Sequence, residues 1–309
     1  MNRLAGIVVA ALGFIIAILG ALKVVPGLTM PGVALIVLGG LIIGLSFVSK
    51  PDPEGTERMS TPNTLLNIFI SPSEVFQNLR RHPRWLVAVI IMTALSGVYY
   101  TLFVDRLTPE RVGNYAIDKT LEMPMIAGSD EARKGVEAGR KQAVDDIKSP
   151  VGRVSKLATS FLWYVGGFAA LSGIFMLIAL AMGGKLRFWQ AFSASVYASF
   201  PISVISFILN TLILFLKDPT DIHPLRGQQT LITDNLSFLV TAADNPVIFT
   251  LLSTISLLGL YWLWMNATGL KNAGERVSGS IAWTSSIAFY AVLVLLAMAS
   301  AWAFPSFVS

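Results

Sequence analysis

One histidine and four aspartates of the second half of the chain are the residues best suited to metal or acid–base chemistry. His223 shares a polar stretch with Asp218, Asp221, Asp234 and Asp244. Carboxylates and an imidazole can together bind a divalent metal, but these residues lack the spacing of a known ligand set. We therefore interpret the aspartates as loop acids, and we predict no metal site and no bound cofactor.

Motifs for catalysis are missing from the sequence. It contains no His-Glu-x-x-His, no Gly-x-Ser-x-Gly, no phosphate-binding Gly-Lys-Ser/Thr loop and no cysteine. The other histidine, His82, is predicted on the opposite side of a membrane from His223, so the two cannot share a site. We predict a protein that is not an enzyme. A hydrolase built from His223, a serine and an acid is the remaining catalytic alternative.

Four residues within apolar stretches could form a polar site or a kink: Tyr197, Pro201, Asn210 and Asn266. A proline inside a helix removes a backbone donor and frees a carbonyl oxygen, which a neighbour or water must satisfy. Asparagine in a spanning helix commonly hydrogen-bonds to another helix. We expect packing roles here. The alternative is a polar cavity near these residues, which would indicate a transporter or a lipid-handling protein.

The elements that position these residues are predicted to be membrane-spanning helices. The chain is 54% hydrophobic and 13% charged, whereas a soluble domain has about 25% charged residues. Seven apolar stretches are long enough to cross about 30 Å of hydrocarbon. Because Lys23 is the only Asp, Glu, Lys or Arg within them, coupled ion pumping is not expected. The predicted spans are Leu4–Val25, Leu28–Val48, Trp85–Val104, Leu157–Met182, Ala191–Leu216, Val247–Thr268 and Ile281–Phe304.

The fold class that follows is an all-α, polytopic helical bundle with about seven spans. The first apolar stretch is longer than the core of a typical signal peptide, and a second follows at once, so we favour a span over a cleaved signal. Short basic segments, including Arg80, Arg81 and Arg84 and the loops of Lys185 and Lys271, fall on one side. The positive-inside rule makes that side cytoplasmic. The N-terminus is then cytoplasmic and the C-terminus extracytoplasmic.

Residues 1–49 are predicted to form a transmembrane hairpin rich in glycine. Gly6, Gly13 and Gly20 fall on one face of the first helix, and Gly40 and Gly44 form a Gly-x-x-x-Gly pair in the second. Small faces let helices approach closely in lipid. These helix-packing glycines indicate either packing within the hairpin, which we favour, or a dimerisation surface. A polar linker, residues 50–64, follows the hairpin.

Residues 71–82 are predicted to form an interfacial helix on the cytoplasmic side. It begins with a capping box, Ser71-Pro-Ser-Glu74. Its basic end, with Arg80, Arg81 and Arg84, is predicted to contact lipid headgroups.

Residues 105–156 are predicted to form an extracytoplasmic helical insert. One helix begins at Thr108 and a second at Ser129, supported by the pairs Asp130/Lys134 and Glu137/Lys141. Because these helices are too polar to make their own core, we expect them to lie against the membrane domain or a partner. The interpretation that we favour for the insert is a solvated helical hairpin.

Three stretches resemble the membrane domain of bacterial Yip-family proteins. The resemblance covers residues 64 to 309. It implies a five-helix domain, residues 65–309, in a bacterial cytoplasmic (inner) membrane. Eukaryotic relatives bind Rab-type GTPases, but GTPase binding is not supported here, because a membrane hairpin and a short linker replace a long soluble arm. The stretches are Ile70–Trp85 (ISPSEVFQNLRRHPRW), Phe188–Phe192 (FWQAF) with Tyr197–Pro201 (YASFP), and Leu258–Trp262 (LGLYW) with Gly269-Leu270.

The function expected from these patterns is that of a non-enzymatic scaffold, adaptor or membrane-organising protein. The expected partners are membrane lipid, a second copy of the chain or other membrane proteins, and not nucleic acid. The transporter or lipid-handling alternative depends on whether a cavity lies between the last five helices.

Overall fold

The computed structural model describes residues 3–45, 47 and 57–308. Within these residues the chain is helical and contains no strand, apart from one isolated bridge between Asn235 and Ser256. The α-helices are α1 (Arg3–Ala21), α2 (Thr29–Leu45), α3 (Thr61–Ile70), α4 (Pro72–Arg81), α5 (Leu86–Leu107), α6 (Pro109–Leu121), α7 (Pro124–Ala127), α8 (Asp130–Ala138), α9 (Arg140–Lys148), α10 (Pro150–Ala181), α11 (Phe188–Leu216), α12 (Arg226–Gln229), α13 (Pro246–Thr254), α14 (Leu257–Ala273) and α15 (Gly279–Ala303).

Five of the described helices are long and apolar enough to cross a membrane: α1, α5, α10, α11 and α15. The all-α membrane architecture is therefore confirmed, and the count of seven continuous spans is not. The second predicted span forms α2, which has only 17 residues. The sixth, Val247–Thr268, is interrupted at Ile255 and Ser256, which separate α13 from α14.

The first two helices pack against each other along their glycines. A Cβ atom added to Gly13 would lie 2.6 Å from the backbone nitrogen of Ile36, and one added to Gly20 would lie 2.3 Å from that of Thr29. Gly6 is likewise covered by α2, which itself packs on α10. Gly40 and Gly44 have no atom within 4 Å of the added Cβ. Packing within the hairpin thus accounts for the first set of glycines and not for the second.

Helices α3 and α4 cover the end of the bundle that holds the short basic loops. Val75, Phe76 and Leu79 of α4 are fully buried, because α4 packs on α14, α11 and α3. The apolar side of the predicted interfacial helix therefore faces protein. The Ser71 side chain makes no cap hydrogen bond, so the predicted capping box is not formed, although the helix begins at Pro72.

The predicted linker is shorter than 50–64, because α3 begins at Thr61 and Ser60 caps it by accepting from the Asn63 backbone N–H at 3.3 Å. Residues 50–56 lie outside the described residues. Arg84 differs from the exposed Arg80 and Arg81, since its guanidinium donates to Thr64 Oγ1 at 2.7 Å. The headgroup contacts of Arg80, Arg81 and Arg84 stay predictions, and Arg84 in addition bonds within the protein.

Segments that were predicted to share the basic side contact one another. Lys185 forms an ion pair with Glu275 at 2.7 Å, and Gln77 donates to Asn272 at 3.3 Å. At the other end, which we call the insert side, Arg111 of α6 donates to the Ile222 carbonyl at 3.0 Å. These contacts agree with chain segments that alternate between the two ends of the bundle.

The helical insert packs on the membrane domain, as expected from its polarity. Val112 of α6 and Val144 of α9 are buried, and Val112 belongs to a cluster with Phe103, Leu107 and Leu214 of the spanning helices and their ends. The predicted second helix is divided at Gly139 into α8 and α9.

The interruption at Gly139 changes the ion pairs of the insert. Glu137 pairs with Arg140 at 2.7 Å instead of with Lys141, because the residues on the two sides of the interruption no longer share one helix face. Arg140 also reaches Asp118 of α6 at 2.7 Å, which joins the two halves of the insert. These hydrogen bonds lower the pKa of the Glu137 carboxyl and raise that of Arg140.

Candidate ligand cavity

A cavity of about 1160 Å³ opens on the insert side between α5, α10, α13, α15 and the segment 217–237. Its lining reaches Ser96 of α5, eleven residues before the end of that helix, and Ser160 of α10, ten residues after its start. At 1.5 Å per residue the cavity therefore extends about 15 Å below the helix ends. That depth is about half of a typical hydrocarbon core of roughly 30 Å.

One wall of the cavity is a loop that enters the bundle, residues 222–231, which we call the re-entrant segment. Tyr99 of α5 donates from its hydroxyl to the Gly227 carbonyl at 2.6 Å. Tyr99 lies eight residues before the end of α5, which places this contact about 12 Å below the helix end. Backbone at this depth needs internal partners, because lipid offers none.

Asn210 of α11 provides the second anchor of the re-entrant segment. Its side-chain oxygen accepts from the Leu231 backbone N–H at 2.6 Å and from the Thr230 hydroxyl at 3.3 Å. Asn210 is 4% exposed. Asn210 therefore links α11 to a loop, and not to another helix as the sequence suggested.

Close packing at Gly227 explains why the segment can enter so deeply. A Cβ atom added there would lie 2.7 Å from Phe103 Cε2 and 3.0 Å from Ile222 Cγ2. Any larger residue would push the loop away from α5.

His223 anchors the start of the re-entrant segment. Its Nδ1 accepts from the backbone N–H groups of Leu225 and Arg226, each at 3.2 Å. Its Nε2 lies 3.2 Å from the Tyr115 hydroxyl of α6, and the two rings meet edge to face. These contacts give His223 a role in shaping the loop.

Arg226 is the cation that the re-entrant segment brings to the cavity. Its guanidinium lies over the Phe249 ring of α13, with 5.1 Å from Cζ to the ring centroid. The side chain is half-buried, and its Nε has no hydrogen-bond partner among the described residues. An arginine side chain stays protonated in proteins.

The charges lining the cavity are mostly positive. They include one carboxylate, that of Asp221, and four basic side chains. Arg153 is already paired with Asp105 at 2.6 Å, and Lys156 lies 5.6 Å above the Tyr100 ring. The basic lining residues are Arg153, Lys156, Lys217 and Arg226.

The interruption between α13 and α14 forms the far end of the cavity wall. Asp234 accepts from the Leu258 backbone N–H at 2.8 Å, and Ser256 Oγ accepts from the Gly259 N–H at 3.0 Å. Both satisfy orphan donors at the start of α14. Tyr290 of α15 donates to the Thr254 carbonyl at 2.6 Å. These three contacts provide hydrogen-bond partners for the backbone on both sides of the interruption.

The four predicted intramembrane polar residues separate into two groups. Asn210 lines a smaller cavity of about 240 Å³, which shares Ser96 with the large one. Tyr197, Pro201 and Asn266 are buried away from both cavities. Asn266 donates to the Trp262 carbonyl of its own helix at 2.9 Å. Helix α11 continues through Pro201 without interruption. A cavity exists, but it lies nearer the insert side than these residues predicted.

The predicted loop acids do not converge on one site. Asp234 caps α14, Asp244 accepts from the Thr241 hydroxyl, and Asp218 accepts from Thr220, which lowers the Asp218 pKa. No group of three or more potential metal ligands occurs in the described residues.

Tyr99, Arg226 and Phe249 are the residues of the cavity region that sequence reasoning missed. None of them belongs to a motif. The one available signal was Gly227 beside Arg226, since a glycine in a loop can mark a close backbone approach.

Comparison with known proteins identifies the family. The Yip1 domain family model matches residues 66–300, from α3 to the outer part of α15. This chain belongs to the Yip1 domain family. The match includes the insert, the re-entrant segment and the cavity lining up to residue 300, and leaves the α1–α2 hairpin outside. The Yip1 family acts in membrane traffic and is not known as an enzyme family.

The resemblance seen in the sequence is thereby confirmed for this Yip1-domain chain, while its bacterial origin stays a prediction. Neither the curated proteins nor the solved structures contain a match to the chain. The chain is a multi-pass helical membrane protein. Its membrane and its orientation stay predictions.

Proposed function

We propose that this Yip1-domain protein binds an amphiphile in the insert-side cavity and handles lipid within the membrane. The observation that supports this proposal is the cavity itself, with its mixed lining. The same cavity is lined by basic and hydroxyl side chains and by apolar ones, which include Phe249, Ala297 and Phe304. Such a lining matches a molecule with a charged end and an apolar body.

The size and depth of the cavity favour a lipid over a small polar solute. Pockets for ordinary small ligands measure about 300–1,000 Å³, and this one is about 1160 Å³. Its floor lies at the depth of acyl chains in the predicted outer leaflet. The cavity thus favours the lipid-handling alternative over the scaffold expected first.

Lipid retention by purified protein tests the proposal. Ala297 lines the cavity, whereas Ala299 of the same helix is exposed and does not. Ala297→Trp fills the space with an indole, and Ala299→Trp adds the same bulk to the outer surface. After extensive detergent washing, mass spectrometry of extracted lipid should find about one lipid per chain in the wild type and in Ala299→Trp, and much less in Ala297→Trp. Equal lipid in both variants would refute the proposal.

A second candidate is a scaffold that self-associates through the hairpin. It is supported by Gly40 and Gly44, whose open surroundings differ from those of the buried hairpin glycines. Dimerisation through this face would be blocked by Gly40→Leu and not by Gly166→Leu, since Gly166 of α10 is equally open. Light scattering in mild detergent measures the mass. A wild-type monomer would argue against this candidate.

A further inference from the structure

We propose that Arg226 binds the phosphate of an anionic phospholipid whose acyl chains occupy the insert-side cavity. This inference rests on the proposed lipid binding and adds to it the headgroup class and the residue that selects it. The argument has three parts: the fixed position of Arg226, its unused hydrogen-bonding capacity, and the apolar space beside it.

The position of Arg226 is fixed by bonds on both sides of it. His223 Nδ1 accepts from the Arg226 backbone N–H at 3.2 Å, and Tyr99 holds the next residue by its carbonyl at 2.6 Å. Asn210 anchors the end of the segment at Leu231. The guanidinium then rests on the Phe249 ring. A site held in this way binds without first ordering its loop, which lowers the entropic cost of association.

The guanidinium of Arg226 donates no hydrogen bond to any of the described residues. Three other arginines on the insert side have acceptors: Arg111 donates to three backbone carbonyls, Arg140 to two carboxylates and Arg153 to Asp105. Among the described residues, Arg226 forms no ion pair, and its buried Nε has no acceptor. A half-buried guanidinium without an anion is unusual, because burial of a charge is costly unless it is paired. A planar guanidinium is suited to bidentate binding of phosphate.

Apolar space distinguishes a phospholipid from a soluble phosphate as the occupant. Phe249 lies against Arg226, and the same cavity is lined by Ala297 and Ala301 of α15 and by Phe304, which follows that helix. A soluble anion would leave this surface facing water, whereas acyl chains would cover it. The other basic lining residues, Lys156 and Lys217, add positive charge near the same opening. Charge complementarity therefore favours an anionic headgroup over a zwitterionic one.

Competition between two lipids with identical chains tests the inference. Purified full-length protein is mixed with phosphatidylglycerol and phosphatidylcholine, and native mass spectrometry measures the ratio of bound species. Both lipids carry a phosphodiester that Arg226 can bind, so what separates them is the quaternary ammonium of phosphatidylcholine, which the basic lining repels. Because like charges brought together weaken binding, we expect a preference for phosphatidylglycerol of about 10-fold. Arg226→Gln should reduce this preference several-fold and still bind either lipid, and the preference that remains reports Lys156 and Lys217. Arg133→Gln changes an insert arginine that does not line the cavity, and it should keep the preference.

Two further measurements, one on Arg226→Lys and one with inorganic phosphate, distinguish lost headgroup recognition from lost folding and a phospholipid from a soluble phosphate. Arg226→Lys keeps the charge without the planar fork and should keep part of the preference, which distinguishes lost recognition from lost folding. Inorganic phosphate should displace phosphatidylglycerol weakly. An unchanged preference in Arg226→Gln, or complete displacement by phosphate, would overturn the inference while leaving lipid binding intact. Binding of neither lipid by the wild type would refute the proposed function itself.

Discussion

Replacing Asn210 by alanine should release the re-entrant segment while leaving the bundle folded. The side-chain oxygen of Asn210 accepts from the Leu231 N–H at 2.6 Å, and alanine leaves that donor without its partner. Orphaning a buried donor costs about 1–3 kcal/mol, and hydrogen bonds between membrane helices average about 0.6 kcal/mol. Because Leu231 is half-buried beside an open cavity, water can partly replace Asn210. We therefore expect a cost of about 1–2 kcal/mol, which is a factor of about 5–30 in the opening equilibrium.

Amide hydrogen exchange at Leu231 measures this opening directly. In Asn210→Ala, protection of the Leu231 amide should fall about 5- to 30-fold. Asn266→Ala is the matched control, because Asn266 is as buried as Asn210. Among the described residues, its side chain hydrogen-bonds only to the Trp262 carbonyl of its own helix. Protection at Leu231 should be unchanged there. Equal loss of protection in both variants, or none in Asn210→Ala, would refute the assignment of Asn210 as an anchor.

Three further predictions concern other contacts. Tyr99→Phe removes the donor to Gly227 and should lower protection of the same segment by about 1 kcal/mol of opening free energy; unchanged exchange would contradict it. Gly13→Val forces apart α1 and α2 and should destabilise the hairpin by about 1–3 kcal/mol or more in thermal unfolding, whereas Gly166→Val, on an open face, should not. Arg140→Ala breaks the ion pair that joins α9 to Asp118 of α6 and the one that joins α9 to Glu137 of α8, and should speed exchange in α8 and α9; similar exchange in Arg133→Ala would indicate a general effect.

The sequence predicted the architecture well where one local signal decides the structure. Long uncharged stretches specify α5, α10, α11 and α15, because segments of this length and hydropathy are stable as helices in the hydrocarbon core of a membrane. The start of α6 at Thr108 follows from a side-chain cap, with Thr108 Oγ1 accepting from the Arg111 N–H at 3.4 Å. The glycines of α1 likewise predicted close packing, which the hairpin provides.

The interruption at Ile255 and Ser256 was not predictable from periodicity. The stretch Val247–Thr268 is continuously apolar, and what ends α13 is a contact from elsewhere in the chain. Asp234, more than twenty residues earlier, caps the start of α14. A tertiary cap of this kind leaves no mark in the local pattern.

The sequence indicated a polar cavity between the last five helices as an alternative, but it placed that cavity too far from the insert side. Asn210 and Asn266 have the same residue type in similar surroundings, so the sequence could not tell which one meets a loop and which one bonds within its helix. Arg226 was hidden for a related reason: its importance comes from the fold of residues 222–231 into the bundle, and hydropathy treats those residues as an ordinary outer loop.

A photoreactive phospholipid tests the central claim, that a lipid occupies the insert-side cavity. Protein purified from membranes that contain a lipid with a diazirine-labelled acyl chain is washed free of surface lipid, irradiated and digested. We predict adducts on cavity residues such as Phe249, Ser253 and Ala297. Adducts confined to outward residues of the same helix, such as Leu295 and Trp302, would contradict the claim.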